Sequence, residues 1–184
     1  AKEGARCTGL DVRPQHLIKA SFAAKTMGLK NRCTWIEADV TDKKIWDKLG
    51  KFDVVICSGL LYHLDSEDIM LILENMHNSC KPNGISLIDT NIAPEAKECI
   101  EITEKIKLWG CRWKEHPPER NHQDRLAKDW SSFNNNEAFW LTERSLTNAL
   151  VISGFGTVLK PLFPYHEWGH QMREHAANIQ NIPK

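Results

Sequence analysis

The residues best placed to do chemistry stand at or just behind the ends of apolar, strand-like runs. Gly-Leu-Asp-Val at 9–12 closes a run over 6–12 and delivers Asp11, Glu-Ala-Asp-Val at 37–40 follows a run over 33–38 with Asp39, and Phe-Asp-Val-Val-Ile-Cys-Ser ends in Ser58-Gly59. A carboxylate at the carboxyl end of a strand can accept both ribose hydroxyls of an adenosine cofactor at once. Gly59 either lets backbone approach a ligand or makes a simple turn. Tyr62 and His63 come next. An imidazole titrates near neutrality and can take a proton from a hydroxyl or amine, although a histidine closing a strand-to-helix turn serves equally well in packing or capping.

A different chemistry is spelled near the carboxyl terminus. His166-Glu167-Trp168-Gly169-His170 is a literal HExxH, in which two helical histidines share one face as zinc ligands and the glutamate acts as general base. Gly169 and the nearby Pro164 weaken the helix it needs, and His175 falls one residue short of the longer metal-binding pattern. Few residues remain to bring a distant third ligand. The expectation is therefore no metal site, with a zinc peptidase as a disfavoured rival reading.

The elements that must position these residues alternate strand and helix, the pattern of parallel βαβ units. The first five residues read as the last turn of a helix, 6–12 as a strand, and 14–27 as a helix stopped at Gly28. The second strand is 33–38, Thr41 or Asp42 caps a short helix to Leu49, and 52–58 is an unbroken apolar run expected to be covered on both faces. A helix starts at Asp65 or Ser66, Lys81-Pro82-Asn83-Gly84 makes a turn, and 85–89 is the next strand. Residues 95–108 read as an amphipathic helix and 110–136 as polar and irregular. Thr142 caps a helix over 143–152, and 155–163 reads as a final strand. The insertion at 109–140 is expected to cover the substrate, with Trp109, Trp113, Trp130 and Trp140 as contacts beside Tyr62.

Composition narrows the function classes. At 184 residues the chain fits one domain, 1–184, and Lys+Arg and Asp+Glu both count 24, so no global charge marks a nucleic-acid or membrane partner. Nucleic acid is disfavoured on that ground. Six cysteines lack CxxC spacing, which suggests a reducing compartment and a cytoplasmic protein. No run is long enough for a membrane span and the first residues do not read as a secretory signal.

Taken in order, Gly-Leu-Asp-Val, Glu-Ala-Asp-Val, the run from Phe52 through Tyr62-His63-Leu64, Lys-Pro-Asn-Gly at 81–84, and Leu-Thr-Glu-Arg-Ser-Leu leading to Ser-Gly-Phe at 153–155 resemble the successive motifs of a class I S-adenosylmethionine-dependent methyltransferase. The resemblance implies a doubly wound, mostly parallel, Rossmann-like sheet and S-adenosylmethionine as cofactor. It implies Asp11 with Val12 at the ribose, Asp39 at the adenine amine, Val40 beside the ring, Ser58 and Gly59 at the strand end, and Tyr62 and His63 near the methyl group. The family's GxGxG turn has no counterpart in the sequence. Its strand would stand at the centre of the sheet, so the fold is expected to be incomplete at the amino terminus, with that strand upstream of Ala1 or supplied by a partner. Where related enzymes that methylate DNA-base amines carry Asn/Asp-Pro-Pro-Tyr/Trp, this sequence reads Ser-Gly-Leu-Leu-Tyr. The expected acceptor is a small molecule, by O- or N-methylation. The alternatives are an enzyme similar to those that modify a wobble uridine of transfer RNA, and a non-catalytic binding module.

Overall fold

The computed structural model describes residues 1–117, 121–128 and 130–161. Strand β1 (Cys7–Asp11) pairs in parallel with β2 (Cys33–Glu37), setting Asp11 beside Glu37, and helix α1 (Pro14–Thr26) makes the crossover. Proline starts α1, where its missing N–H has no intrahelical role. After β2, helix α2 (Lys43–Leu49) is capped by Asp42, whose carboxylate accepts from Lys44 N–H. Strand β3 (Phe52–Ser58) pairs in parallel with β4 (Cys80–Asp89), and the crossover between them holds a short 3-10 turn and helix α3 (Ser66–Ser79). Asp65 caps α3 by accepting from Glu67 and Asp68 N–H.

The second half is antiparallel. Strands β5 (Glu98–Thr103), β6 (Ile106–Lys114) and β7 (Glu137–Leu141) form one sheet, with helix α4 (His122–Ala127) between β6 and β7 and helix α5 (Glu143–Ile152) after it. Helix α3 is the hub of the core. Ile69, Ile72, Leu73 and Met76 recur at helical spacing and are buried with Leu108, Phe139 and Leu141 of the sheet and Ala149 and Leu150 of α5. Close approach of β6 and β7 depends on Gly110, where an added Cβ would fall 2.0 Å from the Trp140 carbonyl oxygen.

The parallel crossovers expected from the sequence are present, and the differences have identifiable causes. The first residues form a turn closed by Gly4 N–H to the Ala1 carbonyl, and no helix. Strand β3 is covered on one face only: Val54 and Ile56 are exposed beside their partners Ile85 and Leu87, because no described element packs there. The Lys-Pro-Asn-Gly turn lies within β4 as a bulge, where pairing jumps from Phe52–Cys80 to Val54–Ile85 and Asn83 turns left-handed at φ 64°.

The helix expected over 95–108 is instead the β5–β6 hairpin. Ile100 and Ile102 point inward while Cys99, Glu101 and Thr103 point out, a period of two, and the Thr103 hydroxyl accepts from Lys105 and Ile106 N–H to make the turn. The irregular stretch expected over 110–136 is a strand as far as Lys114. The strand expected over 155–163 does not form within 155–161, and the rest of it lies outside the described residues. Among the described residues no helix is long and apolar enough to cross a membrane.

Among the described residues β1 pairs with β2 alone and β3 with β4 alone. Consecutive residues of β1 and β3 line a single cleft of about 840 Å³ between the two pairs.

Candidate functional site

Each parallel strand delivers one polar group to this cleft. Asp11, Val12, Asp39, Val40, Ser58 and Gly59 all line it, so the structure brings the six expected cofactor residues together. The Asp11 carboxylate accepts from Arg13 N–H at 2.8 Å and bonds His16 Nδ1 at 2.9 Å, which fixes its plane at the strand exit. Asp39 accepts from the N–H and hydroxyl of Thr41 at 2.9 and 2.8 Å, and its other oxygen accepts from Asn134 Nδ2 at 2.7 Å. Gly59 adopts φ 68°, a left-handed turn unfavourable to other residues, and donates its N–H to the Asp89 carbonyl at 3.0 Å. Ser58 Oγ donates to the Asp89 carboxylate at 3.2 Å.

Residues 130–135, between β6 and β7, close one side of the cleft. Arg13, only 6% exposed, sends Nη2 to the carbonyls of Ser131 (2.9 Å), Lys128 (3.2 Å) and Arg125 (3.3 Å). Its guanidinium carbon stands 5.6 Å from the centre of the Phe133 ring. With Asn134 on Asp39, these contacts tie the segment to the exits of β1 and β2.

His63 also lines the cleft, and its Nδ1 lies 2.8 Å from Glu115 Oε1. The Glu115 side chain is 5% exposed, and its second oxygen accepts from Ser132 N–H at 3.0 Å. Burial pushes the Glu115 carboxyl up, but the bonds from His63 and Ser132 and the charges of His63 and His116 outweigh it and hold the group below the ordinary carboxylate value. Asp68 on α3, which also lines the cleft, goes the other way: burial, then the charges of Asp65, Asp39 and Glu67, push it up to about 6. Burial raises the Cys57 thiol to about 11, so it is no thiolate nucleophile near neutral pH. The carboxylates of Asp11, Asp39, Asp68 and Asp89 make the lining acidic and suited to a ligand carrying positive charge.

Comparison with known proteins resolves the fold family. Residues 1–84 match a family model described as a methyltransferase domain. The N-terminal domain of EvdMO1, solved with SAH bound, superposes with a TM-score of 0.62 at 25% identity, over 82% of this chain and 55% of that one. The chain has a Rossmann-like methyltransferase fold. An O-methyltransferase family protein from Burkholderia thailandensis shares the fold at TM-score 0.57 and 14% identity, over 84% of this chain and 40% of that one. The glycopeptide N-methyltransferase MtfA, complexed with SAH, does so at TM-score 0.51 and 18% identity, over 88% and 67%. This chain thus spans just over half the length of the EvdMO1 chain. No curated protein matches it.

Within this methyltransferase-like fold the expected substrate contacts divide. Tyr62 and Trp130 line the cleft, Trp130 being 89% exposed on its wall. Trp109, Trp113 and Trp140 do not. Trp109 and Trp113 are half exposed on the outer face of the antiparallel sheet, where Trp113 stacks on Trp140 at 4.4 Å. Trp140 reaches the cleft's edge indirectly, donating Nε1–H to the Tyr62 carbonyl at 2.8 Å. Sequence reasoning passed over Arg13, His16, Glu115 and Asn134. His16 carried a local signal, one helical turn beyond Asp11, but Glu115 and Asn134 reach their partners from 52 and 95 residues away. His166, Glu167 and His170 lie outside the described residues, and among the described residues no three His, Cys, Asp or Glu converge as a metal site.

Proposed function

We propose that the protein binds S-adenosylmethionine in this cleft and transfers its methyl group to a small-molecule acceptor. The observation that carries the reading is the convergence of Asp11 and Asp39, at the exits of paired parallel strands, on a cleft shared with Ser58 and Gly59. Both carboxylates are held in place by backbone or side-chain donors and keep lone pairs for a ribose diol and an adenine amine. The acidic lining complements a sulfonium and an amino-acid ammonium. When bound, the cofactor supplies an already activated methyl group, so the protein's share is alignment, exclusion of water and removal of one proton. His63 and Tyr62 are the groups at hand for the acceptor, and residues 130–135 supply the cover. EvdMO1, MtfA and the other solved relatives carry SAH, SAM or sinefungin or are named methyltransferases, which supports the same ligand here. The six cysteines are free thiols, in keeping with a reducing, cytoplasmic setting.

Titration calorimetry with S-adenosylhomocysteine tests the reading. Asp11→Ala should cost roughly 1.5–3 kcal/mol in total, so affinity should fall about 10- to 150-fold. Unchanged affinity would remove Asp11 from the site.

A further inference from the structure

Glu115 does not line the cleft, yet it is a buried, ionised carboxylate that spends one oxygen on His63 Nδ1 at 2.8 Å and the other on Ser132 N–H at 3.0 Å. A carboxylate can only accept, so the proton in the short contact belongs to Nδ1. That leaves the lone pair of neutral His63 on Nε2, which has no hydrogen-bond partner among the described residues, in a side chain that lines the cleft and is 17% exposed. Lys128 Nζ donates to the Glu115 carbonyl at 3.1 Å and anchors the residue from a second direction. We propose that Glu115 is a positioning residue that fixes the Nδ1–H tautomer of His63, making Nε2 the base that receives the acceptor's O–H or N–H proton during methyl transfer.

This rests on the methyl-transfer reading. The acceptor's X–H bond breaks, its proton goes to Nε2, and the electron pair left on X forms the bond to the methyl carbon. The methyl–sulfur bond breaks with its electrons going to sulfur, which becomes a neutral thioether. The imidazolium is stabilised by Glu115 until the proton leaves to water. The other titratable groups around this pair are His116 behind Glu115, Asp68 on α3, Asp39 after β2, Lys128 after α4 and the Tyr62 phenol, whose ring centre is 4.3 Å from that of His63.

The pair can be read without an acceptor. Nitrogen-15 NMR of the whole chain should show neutral His63 as the Nδ1–H tautomer. Glu115→Gln, which keeps an acceptor but loses the charge, should retain that tautomer. Glu115→Ala should release the ring to the Nε2–H form that free imidazole prefers. Carbethoxylation by diethylpyrocarbonate at pH 7.5, mapped by mass spectrometry, should modify His63 at Nε2. Should Glu115→Ala fail to fold, the wild-type tautomer and the Gln variant still decide. An Nε2–H tautomer in the wild type or in Glu115→Gln, or an unreactive Nε2, overturns the proposal. Cofactor affinity, which these measurements do not use, tests the methyl-transfer reading separately.

Discussion

Replacing Arg13 by methionine keeps much of the aliphatic stem and removes the guanidinium that joins the first strand to the segment over the cleft. Hydrogen bonds from a charged donor are worth about 1.5–3 kcal/mol each. Three carbonyls share the two protons of Nη2, and two of the contacts are long at 3.2 and 3.3 Å, so the set counts as roughly two bonds of moderate strength. Stacking on Phe133 adds about 0.5–1 kcal/mol. Against this, Nε is buried without a partner, so methionine relieves one desolvation cost of about 1–2 kcal/mol. With both bonds at the low end of that range because the contacts share two protons and are mostly long, the net loss is about 2–3 kcal/mol, or roughly 30- to 150-fold in the closed-to-open equilibrium of the segment. Hydrogen exchange by mass spectrometry reads this directly, because local opening exposes amides without global unfolding. Peptides over 121–136 should lose that much protection while α3 keeps its own. Arg13→Lys should resemble methionine more than wild type, since an ammonium lacks the planar fork. Protection over 121–136 within a factor of three of wild type would refute the reasoning, and so would an equal loss in α3.

Two further outcomes follow from the packing and the charges. The Asp68 carboxyl, pushed up to about 6, binds its proton more tightly folded than unfolded, so its ionised form costs stability above that pH and the cost vanishes as pH falls toward the unfolded value. Discounted for solvent screening, Asp68→Asn should gain about 1 kcal/mol in urea denaturation at pH 7.5 and nothing near pH 4, and an equal gain at both would show that charge is not the cause. Phe139, 1% exposed between α3 and the antiparallel sheet, should cost about 3–5 kcal/mol when cut to alanine, and a loss under 1 kcal/mol in the same assay would mean that this core is not where the model of packing puts it.

The half of the chain that reads correctly from sequence is built of local units. A strand, an acid or small residue at its exit, a capped helix and a return strand lie within about thirty residues of one another, so periodicity and capping specify them without distant contacts. Asp11, Asp39, Ser58 and Gly59 were legible for that reason: each sits where one unit turns. The antiparallel half has no such grammar. Ile100 and Ile102 alternate with polar neighbours over only a few residues, a period of two too short to outweigh the helical reading of 95–108, and pairing with β6 settles them as a strand. The apolar run at 52–58 misled in the opposite way, since an unbroken run states that both faces can be covered and says nothing of what covers them.

The same divide runs through the site. The groups expected to hold a cofactor come from the exits of successive strands, whereas the groups that tune it come from across the chain: Ser131 meets Arg13 over a separation of 118 residues, Asn134 meets Asp39 over 95, and Glu115 meets His63 over 52. Each of these is a polar residue in a stretch without period, and its partner is chosen by where β6 and β7 leave the segment. A histidine after a strand is chemically ambiguous until the atom facing Nδ1 is known. Here that atom is an oxygen of a buried carboxylate whose other oxygen holds Ser132 N–H, and on the proposed reading it assigns the ring's proton to Nδ1.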